Sequence, residues 1–234
     1  MNIVITGGSK GMGKAMAQIF ARANNNIFIC SRNEKELSDT ANEIMKEYPG
    51  SKVHFFVADL GNRSAVTDFT NWLKDQKINI DVLINNAGQF IPGSIYNEEE
   101  GTLEKTIEVN LYSAYHITRA LLPDMMNNQS GHIFNICSIA SLNAYHNGGS
   151  YSISKYALMG FSKNLREEMK PYRIKVTAVY PGAVYTSSWA ESGADASVMM
   201  ESEDIAKLIY AASTLSPQAC VEDIVIRPLP GDLP

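Results

Sequence analysis

Thr6-Gly7-Gly8-Ser9-Lys10-Gly11-Met12-Gly13 continues the β-rich apolar run Asn2 to Thr6 without a break and passes at once into a segment of helical period, Met12 to Ala23. A strand, spaced glycines and a helix in immediate succession decide the fold. Glycines there permit a tight turn, close approach of backbone to a pyrophosphate and close packing of helix on strand. The helix N-terminus adds unpaired N–H groups that suit an anion. The stretch predicts a dinucleotide-binding turn with Gly7, Ser9, Lys10, Gly11, Met12 and Gly13 as the residues that touch the ligand. The literal G-x-G-x-x-G spacing is not met, because Met16 stands where the last glycine would fall after Gly11 and Gly13. A variant of that fingerprint is required.

Outward from this turn, short apolar runs alternate with longer helical patterns. Asn2 to Thr6, Asn26 to Ser31, Val53 to Ala58, Val82 to Asn85, His132 to Ile136, Lys175 to Tyr180 and Asp223 to Arg227 read as strands. Met12 to Ala23, Glu34 to Tyr48, Ser64 to Lys77, Thr102 to Met126, Tyr151 to Lys170 and Glu203 to Leu215 read as helices, long enough to cross between parallel strands. The series predicts an α/β fold, a doubly wound and mainly parallel sheet with helices on both faces, formed as one domain over residues 1–234. Ligands then bind at the carboxyl ends of the strands, near the switch in strand order. The pattern loosens between about 183 and 202, which predicts a segment covering the substrate; Trp189, Met199 and Met200 would be its pocket wall or plain packing.

Bulk properties exclude several classes. The 234 residues are 45% hydrophobic, enough for a sizeable core, and the net charge of −5 comes without a basic stripe, which argues against nucleic acid. No apolar run is long enough to span a bilayer, and MNIVITGG lacks the regions of a signal peptide, so a cytoplasmic protein without a membrane partner is expected. Cys30, Cys137 and Cys220 are too scattered for disulfides or metal ligation and are expected to be buried; two formal glycosylation acceptors, at Asn62 and Asn128, carry no weight in such a chain. His54, His116, His132 and His146 show no metal spacing, and only His146 lies where it could touch a substrate.

The second strand ends Cys30-Ser31-Arg32-Asn33, without the acidic residue that holds a free ribose 2′-hydroxyl. Arg32 suits a 2′-phosphate, Ser31 lies beside it, and Lys10 can add a second charge, so NADP(H) is favoured over NAD(H). Tyr151 and Lys155 share one helix face at a spacing of four, where a nearby ammonium and the positive nicotinamide ring would draw the phenol's pKa from about 10 toward neutrality. That spacing is a weak signal alone. Ser138, just after an apolar strand, strengthens it, since it can hydrogen-bond a substrate oxygen at the carboxyl end of the sheet.

Thr6 to Gly13, Asn85-Asn86-Ala87-Gly88, Asn110, Ser138, Tyr151 with Lys155, and Pro181-Gly182 occur in the order found in short-chain dehydrogenases/reductases, and the chain resembles that family over nearly its whole length, among NADP(H)-preferring carbonyl reductases like those of 3-oxoacyl thioesters. The resemblance implies that Tyr151 is the acid in carbonyl reduction, that Ser138 orients the oxygen, and that Lys155 holds the nicotinamide ribose. Asn110 would position a water linking Lys155 to solvent. Asp59 and Leu60 would lie beside the adenine, Asn86, Ala87 and Gly88 near the adenosine ribose, and Pro181, Gly182, Val184 and Thr186 by the nicotinamide. It also implies a homo-oligomer formed through the helical segments around Tyr112, Tyr115, Ala157, Gly160 and Phe161, which are apolar on more than one face. Many relatives end in a glycine-rich stretch, whereas this chain closes on prolines, which puts tetramer assembly in doubt. Two rival functions remain open, an NADPH sensor without turnover and an epimerase or isomerase; a nucleophile-elbow hydrolase is not among them, because Ser138 does not lie in a G-x-S-x-G turn.

Overall fold

The computed structural model describes residues 1–186 and 195–231. Seven strands form one fully parallel sheet: β1 Asn2–Thr6, β2 Asn26–Ser31, β3 Lys52–Val57, β4 Val82–Asn85, β5 His132–Ile136, β6 Lys175–Pro181 and β7 Asp223–Ile226, in the order β3-β2-β1-β4-β5-β6-β7. The order reverses between β1 and β4, and the glycine turn leaves β1 at this switch. Helices α1 Gly11–Arg22, α2 Glu34–Glu47 and α3 Arg63–Asp75 belong to the first half. α4 Thr102–Ile107, α5 Ser113–Asn128, α6 Gly149–Met169 and α7 Ser202–Ser213 belong to the second.

Strand alternation sorts the core into two layers. Ile3 and Ile5 of β1 face one side, packed with Met16 and Phe20 of α1, Leu37 and Ile44 of α2 and Ile205 and Ile209 of α7. Val4 faces the other, with Phe69 and Leu73 of α3, Ile117 and Leu121 of α5 and Leu165 and Met169 of α6. A buried polar chain ties the central strands to the second layer. Asn85 donates to Thr118 Oγ1 at 3.0 Å and to Asn135 Oδ1 at 2.8 Å, and Asn135 donates to Ser162 Oγ at 2.9 Å.

Several sequence expectations are modified. The single helix expected from Thr102 to Met126 is interrupted by a π-helical turn, Glu108–Tyr112, with Asn110 at its centre. α6 starts at Gly149, two residues before Tyr151. Cys30 and Cys137 are buried as expected, and burial pushes their thiols up to about 12 and about 11, whereas Cys220 is exposed. In the expected covering segment, Val184 pairs with Met200 in a short parallel bridge, and Met199 and Met200 are buried, Met200 in the first core layer. Trp189 lies outside the described residues.

Candidate active site

The glycine turn is built from constraints that no other residue meets. Gly7 and Gly11 have positive φ, +66° and +54°, and a Cβ on Gly13 would fall 2.0 Å from the Gly7 carbonyl oxygen. Gly8 N–H donates to Cys30 O, fastening the loop to β2. On the other side, Thr6 Oγ1 accepts the Asn86 and Ala87 N–H groups, each at 2.9 Å, and Asn86 Nδ2 donates to the Thr6 and Gly7 carbonyls at 2.9 and 3.2 Å. The Asn86 to Gly88 loop and the glycine loop are therefore one unit at the β1/β4 switch. Thr186 sits over it, its methyl 3.2 Å from where a Cβ on Gly11 would be. Pro181 is buried, and Gly182 N–H donates to Ile226 O, so the β6 end is fixed by β7.

Around the far end of this cradle, Leu60 is buried and Asp59 exposed, its carboxylate accepting Gly61 N–H. Arg32 is exposed. Lys10 is also exposed and lies 3.8 Å from Glu36 of α2. Ser9 Oγ donates to Glu36 Oε2 at 3.2 Å and, with its single proton used there, accepts from Ser31 Oγ at 3.0 Å. The strand end thus lacks an acidic residue, as its sequence says, yet a carboxylate reaches the same place from the first turn of α2. The signal was present: Asn33 caps α2 by accepting Glu36 N–H, the first half of a capping box, and the Glu36 side chain that such a box would turn back onto the cap faces Ser9 instead.

The structure brings Ser138, Tyr151, Lys155 and Asn110 together. Ser138 follows β5 and is buried, accepting Ala140 N–H at 3.1 Å at the start of a 3-10 turn. Lys155 is buried and donates to Ile136 O at 2.8 Å, its Nζ 5.7 Å from the Tyr151 ring centroid. Asn110 Oδ1 accepts Gln89 N–H at 2.8 Å, and its amide donates to Gln89 O and Ser154 Oγ. The π turn points Asn110 inward against Gly88, where a Cβ would lie 3.3 Å from Asn110 Oδ1 and 3.5 Å from Lys155 Nζ.

The electrostatics depart from the expectation that the ammonium draws the phenol toward neutrality. Burial dominates and holds Tyr151 above its ordinary value, and the opposing pull comes from a hydrogen bond with Ser138. Lys155 itself is pushed down by burial to about 8. His146 is exposed.

Residues 1–197 match the short chain dehydrogenase family. The chain belongs to the short-chain dehydrogenases/reductases. It is 31% identical to a sepiapterin reductase of Chlorobaculum tepidum over 99% of this chain and 97% of that one. A metagenomic short-chain oxidoreductase solved with NADP superimposes with a TM-score of 0.85 at 27% identity, covering 97% of this chain and 96% of the other. An alcohol dehydrogenase from Thermococcus sibiricus, solved with 5-hydroxy-NADP, reaches 0.90 at 25% identity over 97% and 96%. This chain is accordingly an oxidoreductase of that family.

Two features of this short-chain dehydrogenase were invisible in the sequence. The segment after Gly88 folds against the start of α6. Gly93 N–H donates to Asn147 O, Ser94 Oγ to Asn147 Oδ1, and Glu98 accepts Ser150 N–H at 2.7 Å and Ser150 Oγ at 2.5 Å. The same segment sets Phe90 edge-on to Tyr151, with ring centroids 5.0 Å apart. Glu98 reads in the sequence as part of a solvated acidic run, Glu98-Glu99-Glu100, and nothing in the spacing of Phe90 marks it.

Proposed function

We propose that the chain is an NADP(H)-dependent oxidoreductase that interconverts a carbonyl and an alcohol, with Tyr151 as the proton donor and acceptor. The convergence of Ser138, Tyr151 and a buried Lys155 beside the glycine cradle carries the reading. The cradle fits a dinucleotide: positive-φ glycines, the missing Cβ at Gly13 and a helix N-terminus leave backbone room and donors for a pyrophosphate. Gly7, Ser9, Gly11, Met12 and Gly13 would hold the pyrophosphate, and Arg32 and Lys10 the 2′-phosphate. Ser31, Asp59, Leu60, Asn86, Ala87 and Gly88 would line the adenosine half. Lys155, Pro181, Gly182, Val184 and Thr186 would line the nicotinamide half. Bound there, NADP(H) supplies the hydride donor or acceptor.

The protein's own groups do the rest. In reduction the Tyr151 hydroxyl donates its proton to the carbonyl oxygen as negative charge grows on it, and Ser138 donates a hydrogen bond that orients the same oxygen. A phenol held above its ordinary pKa stays protonated before reaction, the form an acid needs. Lys155, with a pKa of about 8, is mostly cationic at neutral pH and stabilises the phenolate that remains. Asn110 fixes Gln89 and Ser154 around this pair.

Glu36 bears on the cofactor choice, because a carboxylate beside Ser9 and Ser31 opposes a 2′-phosphate unless Arg32 and Lys10 outweigh it. Titration with NADPH and NADH, followed by a panel of ketones, aldehydes and quinones at fixed NADPH, tests the assignment. Tighter NADPH binding and stoichiometric NADPH oxidation are expected. An NADH preference contradicts the cofactor assignment, and binding without consumption favours the sensor. A homodimer is part of the same reading, supported by the apolar groove that Leu111, Tyr112, Tyr115, His116, Ala157 and Phe161 leave on the α5 and α6 face.

A further inference from the structure

Four polar groups of the two segments beside Tyr151 are engaged with each other. Ser94 is bound to Asn147, and both carboxylate oxygens of Glu98 accept from Ser150. Aromatic and apolar side chains stand exposed on these segments: Phe90 is 48% exposed and Tyr145 45%, and Ile91, Ile95 and Tyr96, on the Phe90 segment, are exposed too. Phe90 stands edge-on to Tyr151. The Tyr145 ring rests on Gly148, the residue that opens the helix carrying Tyr151, where a Cβ would lie 3.0 Å from its Cε1.

We propose that Phe90 and Tyr145 form an aromatic slot beside Tyr151 that selects carbonyl compounds bearing a flat aryl or heteroaryl group over polyhydroxylated ones. The inference rests on Tyr151 being the proton donor. A planar ring placed between Phe90 and Tyr145 gains edge and face contacts with both while its carbonyl oxygen meets Tyr151 and Ser138. A polyhydroxylated chain in the same place would lose water from several hydroxyls, while Ser94, Asn147, Glu98 and Ser150 are already bound to one another.

The test measures kcat and KM with NADPH for acetophenone, butanone and dihydroxyacetone, in the native enzyme and in Phe90→Leu and Tyr145→Leu, which keep apolar bulk and lose the ring. In parallel, 1-phenylethanol binding to the enzyme with NADP⁺ is followed by saturation-transfer NMR. The native enzyme should favour acetophenone over dihydroxyacetone by about tenfold or more in kcat/KM, and each variant should shrink that ratio about fivefold, mainly through KM. A ratio near one, or a ratio that both variants leave unchanged, overturns the slot. If no carbonyl is reduced but 1-phenylethanol binds and Phe90→Leu weakens it, the slot stands and the reductase reading falls. If nothing is reduced and 1-phenylethanol does not bind, both fall.

Discussion

Lys155 is buried, carries a cation and, among the described residues, donates to Ile136 O. Burial of that charge lowers its pKa to about 8 from the ordinary 10.5, so the unfolded chain holds the proton more tightly than the folded one. Between those two values the unfolded state binds more protons, and this group's penalty on folding, full below pH 8, is relieved as pH rises toward 10.5. A Lys155→Met variant should therefore be inactive yet more stable than the native protein at pH 7, by about 2 kcal/mol once the lost hydrogen bond is allowed for. Chemical denaturation at pH 7 and pH 10 checks this. A destabilised variant at pH 7 would mean that the lysine supports the fold rather than being tolerated by it. Tyr151 shows the complementary logic: spacing locates it, but the direction of its pKa depends on burial and on Ser138, which spacing does not reveal.

At the scale of elements, the glycine turn was fully legible, because its conformation is imposed by the absence of side chains. Gly13→Ala would drive a methyl into the Gly7 carbonyl. It should weaken NADPH binding about tenfold or more, read by fluorescence titration, while a fold measured by circular dichroism persists. The α2 N-terminus was only half legible. Asn33 announces the cap, but the Glu36 side chain turns to Ser9 and Lys10 because those partners arrive from another part of the chain. Glu36→Gln should raise NADPH affinity severalfold and leave NADH affinity nearly unchanged; an equal change for both cofactors would place Glu36 away from the 2′-phosphate. The π turn at Asn110 could not be read at all, since the helical period continues on both sides and one extra residue per turn leaves no compositional trace. The Phe90 to Glu98 segment was missed for a similar reason. Its partners, Asn147 and Ser150, are about fifty positions away, and its residues taken alone look like a solvated loop.

The whole sheet was readable because parallel strands covered on both faces appear as continuous apolar runs separated by crossover helices, and strand bounds shift by only a residue or so. One cost of that burial lies at His132 in β5, whose Nε2 is 2.8 Å from Thr177 Oγ1 and whose Nδ1 has no partner among the described residues. Burial depresses its pKa to about 3 from the ordinary 6.5. The unfolded chain binds this proton first as pH falls, so stability should be lost below about pH 6.5, at up to about 1.4 kcal/mol per pH unit. His132→Leu should flatten that acid limb, as seen in urea midpoints from pH 7 to 4. The apolar α5 and α6 groove sets the expected assembly, and light scattering of Phe161→Glu against the native protein should show a dimer reduced to monomers. The role of Tyr151 as proton carrier in an NADP(H)-linked carbonyl reaction is tested by Tyr151→Phe, assayed for NADPH oxidation with a carbonyl substrate and titrated with NADPH. Tyr151→Phe should lose roughly a hundredfold to ten thousandfold in kcat with NADPH affinity retained, whereas near-native turnover would show that another group moves the proton.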